Sequence, residues 1–310
     1  MGERYLHFDY TTLGHVTVDV LDDGSRQPGG TAFYSALQAA RLGRRTLVLT
    51  QGSVREIEDM LEPYRGELEL IVAPAAQTTT LRTSGRGPAR RQRVLAWAGP
   101  IAGDVLVETA VLHLAPVARE TPSRWRGKAS FVGLTPQGLV RQWSDGDGEI
   151  SVPAPATVSG QAPERPPVGG GRQGTRAAEA LDLAARCDAI VLSQQERASC
   201  AGLIATARRS GAVVAVTAGP GPNTILLPEG GVLEPPVEPV EDPCDDLGAG
   251  DVFAAAFFVA LAEGEPPRDA AALANAAAAV RIHGAGPDAI GGRAAIEARV
   301  RAGARSPRHR

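Results

Sequence analysis

Five short apolar runs stand out along the chain, each bounded by glycine, proline or polar turn residues: TLVLT (46–50), AVLHLAPV (110–117), ASFVGLT (129–135), DAIVLS (188–193) and AVVAVTAG (212–219). Runs of this length without an alternating polar face predict strands buried on both sides. Between them apolar positions recur at helical spacing over 31–42, 54–64, 176–186, 195–209, 251–263 and 268–282. Strands alternating with helices in this order predict an α/β, doubly wound, mainly parallel sheet with helices on both faces. Ligands in such sheets gather beyond the carboxyl ends of the strands, so the turns after these runs are the places to look for chemistry. One stretch breaks the pattern. Residues 152–175, VPAPATVSGQAPERPPVGGGRQGT, have no apolar period and read as a long flexible Pro/Gly-rich loop inside one domain spanning 1–310.

Composition narrows the function classes. A chain of 310 residues with 43% hydrophobic content is able to bury a large core. Its 32 basic and 35 acidic residues leave a formal charge of −3, which provides no global field for nucleic acid or an anionic membrane and points to small-molecule partners. Three cysteines, Cys187, Cys200 and Cys244, at unrelated spacings argue against a disulfide framework or a zinc site. The charged opening segment and the lack of any apolar window of membrane-spanning length predict a cytoplasmic protein.

Two glycine-rich stretches carry the candidate chemistry. In DDLGAGDVFAAAFF (245–258), Gly248, Ala249 and Gly250 precede a nearly all-apolar helix, so successive backbone N–H groups can converge on an anion at a fixed helix mouth. Asp251 stands beside that hole, where a carboxylate can take the proton of an attacking hydroxyl; the plainer alternative is that it caps the helix. In PGGTAFYSALQAARLG (28–43), Gly29 and Gly30 open an amphipathic helix that Gly43 closes. Upstream, Asp19 sits near the end of an apparent first strand, LGHVTVDV (13–20), where its carboxylate can accept two neighbouring hydroxyls of a polyol. An ordinary turn and a solvated aspartate is the alternative for either piece alone.

Together these stretches resemble the ribokinase/PfkB family of small-molecule kinases over roughly residues 13–286, closest to an inositol-kinase-like branch. The resemblance implies a ribokinase-like fold with a small β lid, formed from about 15–30 and 75–98, and an ATP- and Mg²⁺-dependent phosphotransferase with an alcohol acceptor. By it, Asp251 is the catalytic base, Gly248, Ala249 and Gly250 form the anion hole, and Asp19, Gly29 and Gly30 bind the acceptor. Glu196, in LSQQE, holds Mg²⁺, while Thr217, Gly219 and Gly221 of VTAGPG and Asn275 line the nucleotide. A monovalent cation is a further cofactor it admits, and a monomer or a homodimer is the expected assembly.

The sequence departs from the family pattern at four places: Tyr34 and Ser193 stand where asparagine is usual, Asp246 where threonine is common, and Pro222 where a glycine is expected. The first acceptor class is a cyclitol or sugar. Only about nine residues separate Asp19 from Gly29, so a short lid hairpin leaves a nucleoside as the alternative acceptor. A catalytically degenerate, ligand-binding protein on a kinase fold is the non-enzymatic reading. Thr80, Arg82, Gln92 and His113 are weaker candidates for facing the acceptor. A Rossmann dehydrogenase fails because GAGDVF lies late in the chain with Phe253 at the third glycine, and no P-loop string occurs.

Overall fold

A computed structural model describes residues 7–143, 148–152, 170–235, 237 and 240–305. In chain order the elements are β1 (Phe8–Leu13), β2 (Thr17–Val20), β3 (Arg26–Gly29), α1 (Thr31–Arg41), β4 (Thr46–Gly52), α2 (Val54–Leu61), β5 (Leu68–Pro74), β6 (Thr80–Ser84), β7 (Arg91–Ala96), β8 (Leu106–Leu114) and β9 (Arg126–Leu134). There follow α3 (Gln137–Val140), α4 (Gly170–Ala184), β10 (Ala189–Ser193), α5 (Ala201–Arg209), β11 (Val213–Thr217), β12 (Thr224–Leu226), β13 (Val232–Leu233), α6 (Ala249–Ala262), α7 (Pro267–Ile282) and α8 (Arg293–Arg305).

The large sheet has the order β13-β12-β11-β10-β9-β8-β1-β4-β5. It is parallel from β5 through β11 and antiparallel only at its β12 and β13 edge. Alternate residues of each central strand feed two cores. Val48, Val111, Val191 and Ala215 pack with helices α1, α6 and α7 on one face, and Leu49, Leu112, Leu192 and Val216 pack with α4 and α5 on the other. Burial on both sides is why these strands are written as continuous apolar runs. The same logic applies to α6, which lies against α1, α7, β8 and β10 and buries every residue from Val252 to Ala260.

A second, four-stranded sheet, order β3-β2-β6-β7, is built from the two segments expected to form the small β element. β2 and β3 form an antiparallel hairpin, β2 runs parallel to β6, and β6 is antiparallel to β7. The buried Glu120 ties this sheet to the body. Its carboxylate accepts from the amides of His15, Val117 and Ala118 at 2.6–2.9 Å, and its carbonyl accepts from Ile101 N at 2.8 Å.

Several boundaries differ from expectation for physical reasons. The run containing Asp19 is not the first strand of the large sheet: β1 ends at Leu13, and the chain then crosses to the small sheet, where Asp19 lies on β2. The helix expected over 54–64 ends at Leu61 and continues as a 3-10 turn, because Pro63 has no N–H with which to extend the α-helical hydrogen-bond ladder. The helix expected from 195 begins only at Ala201, after a run of turns. Of the stretch read as a flexible loop, residues 153–169 lie outside the described residues, and from Gly170 onward it is helix α4 rather than loop. Strand β5 shows no continuous apolar run over its full length because, at the sheet edge, its burial is broken by exposed Glu69 and Ile71.

Candidate active site

Two helix amino-termini meet where the sheets join. Both are opened by a glycine at positive φ: Gly248 at +78° before α6 and Gly30 at +87° before α1. Neither site tolerates a side chain. A Cβ on Gly248 would lie 2.3 Å from the Tyr34 ring, and one on Gly30 would lie 2.5 Å from the His15 carbonyl oxygen. The two ends are joined by Ser35, whose Oγ donates to the Asp251 carbonyl at 3.0 Å, and by the Thr31 side chain, which hydrogen-bonds the Asp251 carboxylate. At the α6 mouth the Ala249 N–H turns to the Asp246 carbonyl at 3.3 Å. Helix geometry then directs the first-turn amides of Gly250 and Asp251 out of the helix end, with their partial positive charge.

Asp19 reaches the same place by strand register rather than by a local motif. Thr17 pairs with Gly29 and Asp19 with Gln27 across the β2–β3 hairpin. A Cβ on Gly29 would overlap the Asp19 carboxyl at 2.2 Å, so glycine there is what gives that carboxylate its space. Asp19 is 2% exposed and accepts from Thr17 Oγ1 at 2.9 Å.

The electrostatics bind these parts into one site. Burial raises the Asp251 carboxyl to about 6, with Glu196 adding to the shift while Thr31, Arg141 and Arg90 oppose it. Asp19 is likewise lifted to about 6 by burial, with Thr17, Arg141 and Arg90 opposing and the Asp251 charge adding. Arg141 is buried, which lowers its own pKa against the pull of Glu196, Asp251 and Asp19. It is fixed by hydrogen bonds to Val117 O at 3.1 Å and Gln92 Oε1 at 2.7 Å. The arrangement is thus three carboxylates facing two guanidinium groups, a setting able both to hold a proton acceptor and to neutralise an arriving anion. Arg90 and Arg141 were not singled out from sequence. No local spacing marks them, although the resemblance to kinases with a lid is a reason to search lid arginines.

Three of the four departures from the family pattern acquire a structural account. The Asp246 carboxylate accepts from Gly87 N at 3.0 Å and from Arg90, linking the α6 turn to the small sheet. Ser193 donates through N and Oγ, at 2.9 and 2.8 Å, to Glu196 Oε2, holding that buried carboxylate just beyond β10. Tyr34, buried, forms the wall beside Gly248. Pro222 lies exposed in the loop after β11, and nothing in the structure explains it.

Thr217 ends β11 and pairs in register with Ser193 at the end of β10, so the magnesium and nucleotide candidates occupy adjacent strand ends. Gly219, at φ +61°, faces open space, and Gly221 N donates to Ala218 O at 3.1 Å. Asn275 is drawn into holding this loop: Asn223 Nδ2 donates to its Oδ1 at 2.6 Å, and Asn223 Oδ1 in turn accepts from Ala218 N at 3.1 Å. Among the described residues no cluster of three or more His, Cys, Asp or Glu forms a metal cage. A lone buried glutamate at a phosphate site still suits Mg²⁺, which keeps several waters and takes few protein ligands. Of the weaker candidates, His113 is a core residue bonded to Tyr10 and Thr135, and Arg82 lies exposed on the small sheet. A surface pocket of about 710 Å³ beside Arg26, Glu56 and Gln77 is lined by none of the site carboxylates.

Comparison with known proteins adds to this geometry. Residues 176–290 match the family model described as pfkB family carbohydrate kinase. The resemblance to the ribokinase/PfkB kinases holds. A pyrophosphate-dependent kinase in the ribokinase family, complexed with a pyrophosphate analog and myo-inositol, superposes with a TM-score of 0.69 at 18% identity, over 93% of this chain and 99% of that one. Arabidopsis thaliana ribokinase, complexed with ribose and ATP, gives 0.66 at 14% identity, over 95% and 99%. The Methanocaldococcus jannaschii nucleoside kinase gives 0.65 at 14% identity, over 95% and 98%. A search of curated proteins found no match. The chain therefore has the ribokinase-like fold, and the segment that matches the pfkB family model contains the α6 turn with Asp251 and the loop after β11. These findings support a phosphotransferase acting on sugar or alcohol hydroxyls. No helix among the described residues is long and apolar enough to cross a membrane.

Proposed function

We propose that the protein is a cytoplasmic kinase that transfers the γ-phosphoryl group of ATP, with Mg²⁺, to a hydroxyl of a small polyhydroxylated acceptor, a cyclitol or a sugar. The observation that carries this reading is the convergence of Asp251, at the mouth of α6, with Asp19, whose buried carboxylate is shaped to accept hydroxyl donors.

The acceptor lies between Asp19 and Asp251. Asp251 accepts the proton of the attacking hydroxyl as the new oxygen–phosphorus bond forms and the bond to the leaving phosphate breaks. The amides at the α6 mouth stabilise the charge on the transferring group, and Arg90 and Arg141 offset the rest. When bound, Mg²⁺ supplies charge neutralisation on the donor phosphates, held by Glu196. Gly219 and Gly221 let the donor approach backbone, with Thr217 at its side. The small sheet acts as the lid that excludes water.

Inorganic pyrophosphate is the second donor reading. Asn275, the residue expected to lie near the adenine, has its amide engaged by Asn223 in bracing the loop, and one structurally similar protein is a pyrophosphate-dependent kinase.

Both readings are tested by measuring ADP release from ATP and orthophosphate release from pyrophosphate across cyclitols, pentoses, hexoses and nucleosides. Acceptor-dependent release that disappears in Asp251→Asn supports the kinase and chooses its donor. Ligand binding seen by calorimetry without release from either donor would replace the kinase with a binding protein.

A further inference from the structure

Arg281, in the last turn of α7, has no exposed surface at all. Its guanidinium is enclosed by oxygens from two loops. Nη2 donates to Asp245 Oδ2 and to the Leu247 carbonyl, each at 2.7 Å. Nη1 donates to the Gly284 carbonyl at 3.0 Å and the Asp245 carbonyl at 3.3 Å. The Tyr34 ring stands 5.6 Å away. Asp245 also accepts from Gly286 N at 3.1 Å and Leu247 N at 2.9 Å.

Three carbonyl oxygens and one carboxylate converging on a point form a ligand set suited to a hard cation. Here that point is already filled by a cation that belongs to the chain. The turn it binds, 245–247, runs directly into Gly248 and the α6 mouth, so whatever fixes these carbonyls fixes the direction of the amides that follow. Unneutralised, the same oxygens would repel an arriving phosphate, and an unpartnered buried charge of either sign is costly. We propose that Arg281 is a resident cation, a positioning residue that braces the anion-binding turn from behind. It makes phosphoryl transfer by this protein independent of any exchangeable monovalent ion, in contrast to the cofactor the resemblance admits.

The turnover part of this inference rests on the kinase reading; the ion-site part does not. Two measurements on the full chain separate them. Turnover of the wild type is compared in potassium, sodium and choline chloride at equal ionic strength, and the rates should agree within about twofold, since the preorganised charge is already in place. Melting temperature is then measured in the same salts for the wild type and for Arg281→Ala, which opens the oxygen cluster. Potassium or low guanidinium should raise the melting temperature of the variant by several degrees over choline and leave the wild type unmoved, as expected for an ion that binds only the folded state. In the variant kcat should fall about a hundredfold and recover in part with the same ions, with little change in acceptor KM.

A wild type that needs potassium for turnover overturns the proposal, as does an Arg281→Ala protein whose melting ignores the cation. If Arg281→Ala does not fold, Arg281→Lys replaces it, with turnover in choline expected to exceed that of Arg281→Gln; equal rates overturn the proposal. A wild type with no turnover under any condition removes the kinase reading, and the melting comparison still decides whether the cluster is a cation site.

Discussion

The two helix mouths at this site make a controlled contrast. Each opens on a glycine at positive φ against a buried wall, and each has a carboxylate lifted to about 6. At α6 the acid, Asp251, is in the first turn of the helix it serves. At α1 the acid, Asp19, comes from a neighbouring strand and is placed by hairpin register and by the missing side chain of Gly29. A site of the first kind is a local property of a few residues. A site of the second kind exists only once the small sheet has paired, since a one-residue slip would turn Asp19 to the opposite face.

The largest expected effect breaks the α6 side alone. Asp251→Asn should lower kcat by about 10²–10⁴-fold, the usual contribution of a positioned general base. Its melting temperature should not fall, because the change removes a charge that burial disfavours; a variant that unfolds would point to a structural cap instead. Gly248→Ala comes next. Adding a methyl against Tyr34 at positive φ should cost about 1–3 kcal/mol of stability by thermal denaturation. Gly250→Ala, with nothing within 4 Å of the new methyl, should leave the melting temperature unchanged and reduce only turnover. Equal loss of stability in both variants would refute the packing account of the turn.

On the α1 side, Asp19→Asn should raise the acceptor KM so that kcat/KM drops about 10–100-fold, the worth of one or two hydrogen bonds to a charged group, with donor affinity unchanged. Acidification then probes both mouths together. With both carboxyls near 6, kcat/KM should fall by about ten- to a hundredfold per pH unit below pH 6. Stability should move the other way: between about pH 4 and 6 the native state holds protons that the unfolded chain releases, so melting temperature falls as pH rises through that window. The slope should shrink in Asp251→Asn. The smallest effect, about twofold on acceptor KM, is expected for Asp246→Ala, which unlatches a partly exposed contact between the α6 turn and Arg90.

This contrast also accounts for what was legible in the sequence. The central strands and α6 were readable because burial on both sides writes itself as uninterrupted apolar residues, as in Val48, Leu49 and the 252–260 run. The α6 turn was readable because its glycines and Asp251 are immediate neighbours in the chain. Asp19 lies in the small sheet rather than in the apparent first strand, because strand membership depends on pairing with residues some 60 positions away. Arg90, Arg141 and Arg281 were missed for the same reason. A basic residue in a strand turn or a last helical turn is ordinary, and only tertiary contact reveals that Arg281 is fully enclosed.

Glu120 gives the small sheet a pivot. Its carboxylate gathers the chain leaving β1 and the chain leaving β8, and its carbonyl holds Ile101 after β7, so two crossings between the sheets and the β8–β9 connection share one knot. A plate held most firmly along one edge moves least beside that hold and most at its far rim. The rim here is the 85–90 turn, the segment that touches Asp246. If the small sheet closes over an acceptor as proposed, its travel is concentrated at the latch, and paired spin labels should show a broad distance distribution from that turn to the body and a narrow one from the neighbourhood of Glu120.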